Sequence, residues 1–142
     1  MEMKDQVEKR LKEGWIKSWM MIEALAINQD TAKSALEKHV ERMKKEAKVL
    51  MYKTEFGEVK KVQKPFQNIP EAYSQVVEIE LLTQDYEKLV TLAINYGPSA
   101  IEILSPENIK MDMGEAQGIL NALAALIHRV AAMGSGGIMI ST

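Results

Sequence analysis

Four glutamates and two histidines hold most of the chemistry this sequence offers: Glu23, Glu78, Glu80 and Glu102, then His39 and His128. Each glutamate falls in a stretch that reads as β-strand, so one sheet can gather all four on a single face. Carboxylate oxygens converging there would suit a hard divalent cation or a cationic ligand. The plainer reading is a solvated outer face, hydrated or paired to Lys17 and Lys53. His39 sits on the apolar stripe of one helix and His128 on another. An imidazole in such a place serves as acid, base or ligand, or simply packs at the edge of a core. No nucleophile stands with them. The chain has no cysteine, and no serine lies in a Gly-x-Ser-x-Gly elbow. No motif identifies a cofactor.

Two further motifs carry weaker chemistry. Gly134-Ser135-Gly136-Gly137 has the composition of a backbone nest for an anion. It lacks the lysine and the preceding strand of a phosphate loop, so a turn feeding a terminal strand is the simpler reading. Lys60, Lys61 and Lys64 beside Phe66 make a small basic patch. The formal net charge is −2 and the pI about 5.8, so no global field draws the chain to nucleic acid or anionic lipid. The central strands also lack aromatics in the arrangement that stacks RNA bases. A nucleic-acid partner is disfavoured on both counts.

The elements that position these residues follow from periodicity. Residues 3–13 form a short amphipathic helix ended by Gly14. Trp19–Ile27 is apolar on both parities and reads as a first, central strand. Asp30 caps a helix running to about Glu46, with Ala32, Leu36, Val40 and Met43 at helical spacing. Residues 48–63 read as strand with a turn at Gly57, either a hairpin or one long bent ribbon. Residues 64–72, with Pro65 and Pro70, read as loop. A third strand at 73–82 puts Val77, Ile79 and Leu81 on one face and Glu78 and Glu80 on the other. A second helix over 84–96 closes at Gly97-Pro98, and 100–104 is a fourth strand.

The order predicts an α+β fold: a ferredoxin-like βαββαβ antiparallel sheet, strands ordered four, one, three, two, with an added apolar C-terminal helix. One domain is expected over 1–142, with an N-terminal helix at 1–14, the core at 15–111, and the last helix and a terminal strand at 112–142.

The last helix stands out. Asp112 and Glu115 give a D-x-x-E capping signal, and AQGILNALAALIHRVAAM from Ala116 to Met133 is apolar on nearly every side. A helix of that kind seeks cover all round, and a domain this small has little to give. A second copy is the simplest cover, through Ile119, Leu120, Leu123, Ile127 and Val130; the alternative is a lid supplied by the N-terminal helix or the 57–72 loop. A membrane span over 118–140 is disfavoured by His128 and Arg129 near its middle and by the glycine-rich run after it. The charged N-terminus without an apolar h-region and the absence of cysteine suggest a cytoplasmic protein.

Leu89–Ile109, LVTLAINYGPSAIEILSPENI, resembles the end of the C-terminal extension domain of WYL-type bacterial transcription regulators. That resemblance implies a ferredoxin-like fold and a role in assembly and regulation, and transfers no functional residue. The whole chain resembles small standalone archaeal proteins. The expected function is a non-enzymatic regulatory or assembly module, homo-oligomeric, with a small-molecule ligand at a subunit interface. The alternatives are a small metal-dependent enzyme using the strand glutamates, and an RNA-binding domain.

Overall fold

The computed structural model describes residues 2–66 and 68–134. Its elements are α1 (Met3–Lys12), β1 (Ile16–Ala26), α2 (Gln29–Lys44), β2 (Val49–Phe56), β3 (Lys60–Phe66), β4 (Ile69–Thr83), α3 (Tyr86–Tyr96), β5 (Ala100–Ser105) and α4 (Met113–Met133). All pairings are antiparallel, in the order β2-β4-β1-β5, with β3 also on β4. This is the α+β, ferredoxin-like sheet expected, with its strand order and its added C-terminal helix. The terminal strand expected at 137–140 and the glycine-rich motif from Ser135 onward lie outside the described residues.

The alternation of β1 sets the two faces. Met20 lies opposite Ile79, and Ile22 opposite Val77. These residues join Leu36, Val40 and Met43 of α2 and Leu89 and Leu92 of α3 in one fully buried core. On the second face Leu50 and Leu82 are cross-strand partners. Leu82 is fully buried there, and α1, packed on β2 and β4, covers that end together with Trp15. The Arg10 guanidinium lies 4.7 Å over the Trp15 ring, which anchors α1.

Three boundaries differ from the sequence reading, each for a physical reason. β1 begins at Ile16, because β4 runs to Thr83 and pairs that far. The cap of α2 is Asn28, whose Oδ1 accepts from the Thr31 amide at 2.8 Å; Asp30 sits inside the first turn, where its charge still suits the helix dipole. The expected loop at 64–72 is the end of β3 and the start of β4. Together β2 and β3 run as one bent ribbon along a single edge of β4. Beyond Tyr73, the partner of Ala26, β4 pairs with β3 alone, so Pro65 and Pro70 sit in a two-stranded arm whose outer edges need no further amide donors.

Candidate functional site

The four strand glutamates do share one face, the side of the sheet opposite α2 and α3, which α1 covers at one end. Glu23 is on the outward parity of β1 and Glu78 and Glu80 on that of β4, while Glu102 lies across from Trp19 on β5. Each then takes a different environment. Ser74 Oγ donates to Glu23 at 2.6 Å. Trp19 Nε1 donates to Glu78 at 3.1 Å, and Glu102 stays exposed. A bulge between Met51 and Lys53 brings two β2 side chains onto Glu80: the Tyr52 hydroxyl at 2.9 Å and the Lys53 ammonium at 3.3 Å. The Tyr52 hydrogen bond, then Lys53, holds the Glu80 carboxyl below the usual carboxylate range; burial and Glu80 push the Tyr52 phenol well up. Glu55 faces Glu78 across the strands. A shallow recess of about 110 Å³ lies between Trp19, Lys53, Glu55, Glu78 and Glu80. Among the described residues, no group of three or more His, Asp or Glu side chains is placed to hold a metal ion.

The histidines are not brought together. His39 Nε2 lies 2.8 Å from the Tyr96 carbonyl oxygen, and its ring meets the Tyr96 ring edge-on at 5.0 Å. His128 is exposed on α4. Beside His39 is a cluster that sequence reasoning missed. Glu46, just past α2, accepts from Lys88 Nζ at 2.6 Å and from the Tyr96 hydroxyl at 2.8 Å. These bonds, Lys88 first, hold the Glu46 carboxyl below its ordinary range. Burial and Glu46 push the Tyr96 phenol up to about 12. The three residues lie 42 and 50 positions apart, so no local pattern announces them. Their effect is to fix α3 against the end of α2.

That matters because α3 is the platform for α4, which packs chiefly on it. Asp112 Oδ1 caps α4 by accepting from the Glu115 amide at 2.8 Å, as the D-x-x-E signal implied. The close approach is at Gly118, where an added Cβ would run into the Glu87 carboxylate. Glu115 sits near Asp85, Asp112 and Glu87; burial first, then those charges, pushes its carboxyl up. The half-buried apolar side chains of α4 are Ala116, Ile119, Ala122, Leu126 and Ala131, and Gly118 marks the side that meets α3. Every residue of α4 is at least partly exposed. Leu120 is 59% exposed, Leu123 48%, Ile127 52% and Val130 60%. By length and composition α4 is also long and apolar enough to cross a membrane.

A second apolar feature lies between α3 and β5. Ile101 and Ile103 point to the core face of the sheet, opposite Met20 and Ser18, yet remain exposed. With Tyr86, Leu89, Val90 and Ala93 they line a groove of about 360 Å³ between α3 and β5.

No curated protein matches this sequence. A family model does, over residues 17–135, from the second residue of β1 past the end of α4. The match takes in the whole of Leu89–Ile109 and brings no link to WYL-type regulators. Its extent, which covers the sheet, the platform helix and the apolar helix together, places the chain in the MJ0538 family.

Proposed function

We propose that this chain is a non-enzymatic regulatory or assembly module that works as a homo-oligomer and holds a small ligand at or beside the subunit interface. The observation that carries the reading is α4: a 21-residue apolar helix seated on one neighbouring helix, with its remaining apolar side chains in solvent. An exposed apolar surface of this kind marks an interaction site, and a surface that repeats on every copy is most simply closed by another copy. The α3–β5 groove supports the ligand part. Its volume falls within the roughly 300–1,000 Å³ of small-molecule sites, and Tyr86 gives its apolar walls one polar end. The cytoplasm is the compartment in which we place this activity.

The test is the mass of the native protein. Wild type is expected as a discrete oligomer and Leu123→Glu as a folded monomer, since Leu123 is half exposed and takes no part in the core. A monomeric wild type, or a Leu123→Glu variant of unchanged mass, would refute the assembly reading. Mass beyond whole multiples of the chain would identify the ligand.

A further inference from the structure

Most of the large exposed apolar residues of α4 fall on one line. Met113, Leu120, Leu123, Ile127 and Val130, with half-buried Ala116 between the first two, follow one another in steps of three, four, three, four and three; Met133 lies off the line. That alternation is the seam of a two-helix coiled coil. It lies about 100° around the helix from the half-buried line of Ile119, Ala122 and Leu126. So α4 carries two separate apolar lines. One is used within the chain, and the other is presented outward on a helix of about 31 Å.

The accessible surface supports a missing partner. It is 9891 Å², against about 7,400 Å² for a compact monomer of this mass. Even with the ten undescribed residues counted at full extended-chain area, at most about 1,500 Å², roughly 1,000 Å² remains, shared between the α4 seam, the α3–β5 groove and the two-stranded arm. A standard interface takes about 800 Å² from each partner. The seam itself holds no charge, so it fits an apolar line like itself.

Resting on the oligomer reading above, we infer that two copies join through this seam with their α4 helices antiparallel. The residue sizes suit that direction. When Leu120 is level with Leu123 of the second copy, small Ala116 meets Ile127 and Met113 meets Val130, and the other half repeats by symmetry. The helix dipoles favour the same direction. Antiparallel helices oppose their dipoles. A parallel pair would stack like ends.

The absence of native cysteine makes a clean test. Met113→Cys and Val130→Cys are made separately, each at an exposed position outside the core, and then co-expressed and mildly oxidised. An antiparallel pair sets the two copies of residue 113 about 25 Å apart along the axis, far beyond the ~7 Å Cα separation a disulfide spans. The expected result is a covalent product at twice the 16.0 kDa chain mass only when both variants are present. Self-linking by each variant alone would show a parallel pair and overturn the antiparallel one, leaving the oligomer reading intact. An oligomer that gives no cross-link in any mixture would overturn the seam while leaving that reading intact. A monomeric wild type that co-sediments with phosphatidylcholine vesicles would overturn both.

Discussion

Replacing Glu46 by glutamine tests whether the brace under α3 is electrostatic. The substitution keeps the size of the side chain and an acceptor for Tyr96, but removes the charge facing Lys88. A hydrogen bond to a charged group contributes about 1.5–3 kcal/mol when well buried. Here the Glu46 and Lys88 side chains are 30% and 18% accessible, which moves the figure toward the 0.2–1 kcal/mol of exposed pairs. The expected loss at neutral pH is therefore about 1 kcal/mol, or a fall of roughly 3–5 °C in Tm for a chain of this size. The pH dependence gives the sharper check. Glu46 is held below its ordinary value of 4.5, so its contribution is complete above that value and fades as pH falls through the lowered folded one. The stability gap between wild type and Glu46→Gln, from chemical denaturation, should narrow as pH drops from 7 to below 4. A gap that stays constant or widens toward acid would refute the argument.

Three further outcomes follow from particular contacts. Gly118→Ala should stabilise the fold by up to about 1 kcal/mol in thermal unfolding, because alanine favours helix and the Glu87 carboxylate is the free end of a side chain that can swing aside. Met20→Ala removes a fully buried side chain from the centre of β1 and should cost about 2–5 kcal/mol in urea unfolding. Tyr52→Phe should remove a phenol that ionises above the ordinary phenol range in an ultraviolet titration, since burial and Glu80 hold the Tyr52 proton on.

Much of the fold is legible in the sequence because its period is strict. Val77, Ile79 and Leu81 against Glu78 and Glu80 fix which way β4 faces, and the apolar β1 fixes it as central. The same parity gathers the four glutamates on one face. What they meet there was not legible. The bulge that brings both Tyr52 and Lys53 to Glu80 is a backbone irregularity with no residue signature. Pro65 and Pro70 suggested a loop because proline usually excludes a central strand. They are accommodated in a ribbon with free outer edges, a context that only tertiary structure supplies. The Glu46 brace was hidden for another reason: its partners come from a different helix. The exposure of α4, by contrast, could be foreseen from Ala116–Met133, where the apolar residues outnumber the neighbours available to cover them.

The length of β4 has a dynamic consequence. From Tyr73 to Thr83 it is bonded on both sides by β1 and by the β2–β3 ribbon, while from Ile69 to Ala72 it has β3 alone. One continuous strand therefore spans two regimes of local opening. Its outer quarter separates at smaller free-energy cost together with β3, while its inner part opens only when the sheet itself is lost. Motion in the arm is thereby uncoupled from the core that carries α3 and α4, and the arm can bend or be remodelled without disturbing the helical side of the molecule.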